Sequence, residues 1–166
     1  MGIDRLAFEF DPLDGFDIDP DLKGEALSLI ADFVKEKVLS YVGSGESPVA
    51  GGKWQRKLSP AYKKRKDEIS GVGFANMELT GAMLDALEVV DHKGVLALEI
   101  SGEEAAKADG HNNFSGDSKL PPRQFIPNAK KGQNFKRDII SGMAEIALQY
   151  EAQTIEERAA QSDSQS

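Results

Sequence analysis

The sequence predicts an α+β protein: two long helices packed on a small antiparallel sheet, with an extended N-terminal arm and long loops. Three observations predict it. Two runs, beginning near Asp19 and Asn134, repeat apolar residues at three- and four-residue steps, the period of a helix with one buried face. One segment, "LEVVDHKGVLALEIS", holds two apolar runs joined by Asp-His-Lys-Gly, which reads as a hairpin. Gly- and Pro-rich stretches separate these pieces.

Residues 1–18 come first. Phe8, Phe10, Leu13, Phe16 and Ile18 make the segment too apolar for a disordered tail. Pro12 and Gly15 break it too often for a helix. The segment reads as an extended acidic and aromatic arm that needs a surface to lie on, its own or a neighbour's, and the expectation is that Phe8, Phe10 and Phe16 pack on a neighbouring subunit or an adjoining ring. The first long helix follows. Asp19 caps it and Pro20 suits its first position. Leu22, Ala26, Leu29, Ile30, Phe33, Val34, Val38 and Tyr41 form its apolar face, and Gly43 and Gly45 end it.

"GSGESPVAGGKWQRKL" is a loop by composition. Ser59-Pro60 opens a short polar helix anchored by Tyr62 and Ile69. "NMELTGAMLDALEVV" reads as another short helix, with Leu79, Met83, Leu84 and Leu87 on one side. After the hairpin, residues 109–128 read as a loop. The last long helix is capped by Asn134, with Phe135, Ile139, Met143, Ile146, Ala147 and Tyr150 as its buried stripe. Gly142 within it predicts a close approach to the sheet. The expected organisation is an arm over 1–18, one α+β domain over 19–158 and a disordered polar tail over 159–166.

The totals exclude several functions. The 166 residues contain no cysteine, which removes disulfides, zinc–thiolate sites and a cysteine nucleophile. No apolar run reaches the roughly 18 residues that span a bilayer. The acidic N-terminus lacks the basic start of a signal peptide, so a soluble cytoplasmic product is expected. The net charge of −8 is unevenly spread. Asp4, Glu9, Asp11, Asp14, Asp17, Asp19 and Asp21 crowd one segment; Lys53, Arg56, Lys57, Lys63, Lys64, Arg65 and Lys66 crowd another. Such segregation gives either two solvated faces or head-to-tail association of identical copies.

Catalysis finds little to work with. His92 and His111 are the only histidines. His92 falls at the hairpin tip, an ordinary place for a polar turn residue. His111 stands with Asp109, Asn112, Asn113 and Asp117, but the spacing lacks the closing bidentate Glu of a calcium loop, and zinc would want more nitrogen ligands. Lys53 is followed by Trp54, so the glycines before it are no phosphate-binding loop. No metal or other cofactor is expected. The basic segment 53–66, with Trp54 and Tyr62, offers phosphate contacts and stacking, and a DNA-binding accessory protein is the alternative reading.

The order of motifs resembles the phage virion-morphogenesis, or tail-completion, family of the Mu-like group. The resemblance lies in the Pro-Gly loop with a Trp, Pro48 to Leu58; the Tyr- and Lys-rich Tyr62 to Lys66; and Leu79-Thr80-Gly81-Ala82-Met83. It continues through the hairpin Val89 to Ile100, Ala108-Asp109-Gly110-His111-Asn112-Asn113-Phe114, and Pro121-Pro122-Arg123-Gln124-Phe125-Ile126-Pro127. It spans about residues 48 to 150. The acidic arm, the helix beyond Tyr150 and the late Gly116 depart from the pattern.

The resemblance implies a non-enzymatic structural protein at the phage head–tail junction, a tail completion, tail terminator or neck component. It implies a homo-oligomeric ring, commonly a hexamer. Other neck, connector and tail proteins would be its partners, with passive contact to genomic DNA passing through the ring. Its place would be the virion's tail or neck, after synthesis in the host cytoplasm. The loop 109–128 then reads as an assembly loop. Phe8, Phe10, Phe16, Trp54, His111, Phe114, Arg123 and Phe125 are the expected interface residues, Arg123 as a planar fork for acids and Phe125 as an apolar anchor.

Overall fold

The computed structural model describes residues 4–52, 82–113 and 124–164. The fold is α+β. Strand β1 (Arg5–Phe10) leads into helix α1 (Pro20–Gly43); after a one-turn helix α2 (Ala82–Asp85) come β2 (Leu87–His92) and β3 (Val95–Ser101). Helix α3 (Glu103–Asn113), a 3-10 turn (Ala129–Lys131) and the long helix α4 (Arg137–Ser164) complete the order.

The sheet has three strands in the order β1-β3-β2, every pair antiparallel. β2 and β3 form the expected hairpin. Its two-residue turn places Lys93 at φ 55° and Gly94 at φ 93°, the left-handed pair that matches strand twist. Asp91 Oδ1 accepts from the Gly94 N–H at 2.8 Å and steadies that turn.

The register sorts side chains onto two faces. Leu6, Phe8 and Phe10 stand opposite Ile100, Leu98 and Leu96, and Leu87 and Val89 stand opposite Ile100 and Leu98. These line the inner face, on the core. Arg5, Ala7, Glu9, Glu88, Val90, His92, Val95, Ala97 and Glu99 share the outer face.

β1 corrects the expected arm. The segment is not an arm reaching for a neighbour: it closes this chain's own sheet, and Phe8 is buried in its core. Alternation of Leu6, Phe8 and Phe10 turns three apolar side chains to one face, where β3 supplies their partners.

α1 keeps its predicted start. Asp19 accepts from the Asp21 N–H at 2.9 Å, and Pro20 takes the first position. Its buried face is Ala26, Leu27, Ile30, Val34, Val38 and Val42. Leu29 is instead exposed, and Leu27 and Val42 were missed: the inward face lies about one residue to the side of the predicted one. α1 packs on β2, β3 and α4.

α4 runs antiparallel to α1. Thr154 lies beside Asp19 at one end, and Asp138 beside Tyr41 at the other. Ile139, Met143, Ala147, Tyr150 and Thr154 are buried along one side. Phe135 is buried ahead of the helix rather than in it. Gly142 does mark a close approach, but to α1: a Cβ there would run into the Phe33 ring. The expected tail over 159–166 is corrected as far as Ser164, because α4 continues to that residue. The expected loop 109–128 is corrected at its start, where Asp109 to Asn113 belong to α3, held by the buried Ala105 and Ala108. The short polar helix over 59–69 and the start of the helix at 76 lie outside the described residues.

Candidate functional site

Among the described residues, two of the three buried polar side chains, Ser47 and Gln124, sit at one corner, where the segment after α1 meets the segment before α4; the third, Thr154, lies beside Asp19 at the other end of α1. Gly45 at φ 74° turns the chain out of α1. Ser47, Pro48 and Val49 are buried and run beside residues 124–136. Val49 forms an isolated antiparallel bridge with Phe135. The Ala50 N–H donates to Asn134 O at 3.0 Å, and the Lys136 N–H donates to Pro48 O at 2.8 Å.

Ser47 ties the corner together. Its hydroxyl donates to Gln124 O at 2.5 Å and accepts from the Val49 N–H at 3.1 Å. Gly52 lies so close that a Cβ would strike Ser47 Oγ. The Gln124 and Gln133 side chains form a reciprocal amide pair, and Gln133 Oε1 also accepts from the Asn128 N–H at 3.0 Å. Asn128 Oδ1 accepts from the Lys130 N–H at 3.0 Å, and Gly132 at φ 68° closes the 3-10 turn. This network satisfies backbone groups that would otherwise be buried without partners. Gly52 and Gln124, each the last described residue before or after a stretch outside the described residues, both touch Ser47.

The predicted interface residues divide. Phe8 and Phe125 are core residues, 7% and 0% exposed, so neither is an anchor for a neighbour. Phe10 is half-buried; the Phe8 and Phe10 rings both stand edge-on to Phe135 at 5.3 Å, an intramolecular aromatic cluster. Phe16 is half-buried and lines an open cavity of about 390 Å³ with Asp11, Asp14, Lys23, Leu27 and Lys93. His111 lies in the last turn of α3, and its side chain lies outside the described residues, as do Trp54, Phe114, Arg123 and the basic segment 53–66. Among the described residues no cluster of three or more His, Asp or Glu could hold a metal ion.

Ser47, Gln124 and Gln133 were missed because polar residues among Gly and Pro read as exposed loop. A second tie was missed for the same reason. Asp17 meets Arg158 through two hydrogen bonds, at 2.6 and 3.2 Å, which fasten the stretch between β1 and α1 to α4. The Arg158 guanidinium holds the Asp17 carboxyl below the usual carboxylate range.

No family model, curated protein or solved structure matches this chain.

Among the described residues no helix is long and apolar enough to cross a membrane. Next to the hairpin turn, His92 Nε2 lies 3.6 Å from Glu99 Oε2 on the outer face of the sheet, with His92 exposed and the Glu99 side chain largely buried. The Ser47 corner is a hydrogen-bonded junction of two backbone segments. It fixes backbone geometry, with the Ser47 hydroxyl engaged by Gln124 O and the Val49 N–H.

Proposed function

We propose that this chain is a structural virion protein of a phage head–tail junction, a tail completion, terminator or neck component that works as a ring, in the commonest case a hexamer. The observation that carries the reading is the ordered motif series from Pro48 to Tyr150. The Ser47 corner supports it. A junction protein needs a rigid base for its contacts, and Ser47 ties together Gly52 and Gln124, which border two stretches of the motif series. Neck, connector and tail proteins are the partners on this reading, and DNA passes the ring without sequence recognition.

The test is disruption of the gene in a phage genome that carries it, with electron microscopy of the lysate. The expected result is filled heads and complete tails that are not joined, restored to whole particles by the gene in trans. Normal infectious particles would remove the reading. Heads that stay unfilled would favour the DNA-binding alternative through residues 53–66.

A further inference from the structure

β1 and β2 are both edge strands: each has β3 on one side and, among the described residues, no strand on the other. The phase of the ladders says which backbone groups face outward. Residues opposite one another in an antiparallel pair alternate between bonded and non-bonded. The Gly102 N–H donates to Asp4 O at 2.9 Å, which fixes Leu6, Phe8 and Phe10 as the residues bonded to β3. Arg5, Ala7 and Glu9 therefore point N–H and C=O away from the sheet. Leu96, Leu98 and Ile100 are engaged with β1, so Val95, Ala97 and Glu99 bond to β2 through His92, Val90 and Glu88. Leu87, Val89 and Asp91 are left pointing outward.

Both edge strands are antiparallel to β3, hence parallel to each other. β1 of one copy laid against β2 of another makes a parallel pair that continues the sheet. Parallel bonding sets each outward residue of one strand between two outward residues of the other. Ala7 between Val89 and Asp91 is one such register; it pairs residues 5–9 of β1 with residues 88–92 of β2.

Charge selects the same register. It sets Arg5 beside Glu88 and Glu9 beside His92 on the outer face, with Ala7 beside Val90 between them. Moving by two residues either way loses both the Arg5–Glu88 ion pair and the Glu9–His92 contact. Within one chain Glu88 stands directly opposite Glu99, an unfavourable pair of acids. Arg5 and His92 lie by Glu99, Arg5 Nη2 at 2.6 Å, while Glu88 meets no cation among the described residues. An arginine from a second copy supplies one.

We propose that copies of this chain associate edge to edge, β1 of one against β2 of the next in parallel, with Ala7 of one copy beside Val90 of the partner subunit. The contact joins two different surfaces, so it propagates head to tail and closes into a ring when the rotation per copy allows. This deepens the ring reading above and rests on it.

The chain's lack of cysteine makes the test direct. The double variant Ala7→Cys/Val90→Cys places both thiols on the outer face. Within one chain β3 separates them by two strand spacings, roughly 9–10 Å, beyond the roughly 7 Å that a disulfide bridges. Any disulfide is therefore between copies. Mild oxidation should give a ladder of two, three and more chains on a non-reducing gel, collapsing on reduction. Each single variant should give no ladder beyond the dimer that a lone thiol permits. Circular dichroism of the reduced double variant should match the parent chain. Mass photometry of the parent chain separates the outcomes. Oligomers of the parent with no ladder from a folded double variant would overturn edge pairing and leave the ring. A parent that stays monomeric at every concentration would overturn both.

Discussion

Ser47 shows how one hydroxyl can decide the geometry of a corner. It is 2% exposed, donates to Gln124 O and accepts from the Val49 N–H. Ser47→Ala leaves a buried carbonyl and a buried N–H short of a partner, a loss of about 1–3 kcal/mol. Chemical denaturation should show that loss, and hydrogen exchange should show faster exchange at Val49 while α1 stays protected. Tyr41 makes a second decisive contact. Its hydroxyl donates to Asp138 Oδ2 at 2.8 Å, and Lys136 Nζ lies 4.8 Å from its ring centre. Burial first, and the Asp138 carboxylate second, push the phenol up to about 12 from an ordinary 10.0. The folded state therefore favours the neutral phenol more than the unfolded chain does. Its contribution is whole below pH 10 and is lost as pH climbs toward 12. Tyr41→Phe should lower stability at pH 7 by about 1 kcal/mol, and the parent's melting temperature should fall more steeply than the variant's over that alkaline window.

At the scale of elements, the sequence is most legible where the cause is local. Asp19-Pro20 fixes the start of α1 within the chain itself, and Lys93-Gly94 fixes the hairpin turn. β1 was not legible because its partner, β3, lies some ninety positions away in the register Phe8 to Leu98. Period-two apolarity over six residues is a weak signal beside Pro12 and Gly15, so a core strand passed for an arm. α3 was obscured by its Asp, Asn and Gly content; Ala105 and Ala108 hold it through packing that no local pattern reports. The consequence for β1 is testable. Phe8→Ala should cost about 3–5 kcal/mol, the ordinary loss for a buried aromatic. Deletion of residues 1–18 should abolish the cooperative thermal transition of the monomer, since it removes an edge strand, Leu13 and Ile18 from the core. A shortened chain that still melted cooperatively near the parent temperature would return the segment to the role of a dispensable arm.

For the whole molecule, the site was legible in part. The sequence places glycine- and proline-rich loops around the hairpin and the last helix, and the Ser47 corner joins the borders of two of them. It could not reveal that Phe8 and Phe125 are core residues, because an aromatic in a loop-like context carries no mark of where its partners are. Position along the virion axis is the central claim, and it is measured most directly by labelling. α4 is mostly exposed from Ile155 to Ser162, and an affinity tag is placed after Ser166. Gold particles directed at that tag, imaged on purified phage, should lie in one cluster at the neck where head meets tail. Gold spread along the tail tube or over the capsid, or absent from particles that are otherwise whole, would contradict a junction protein.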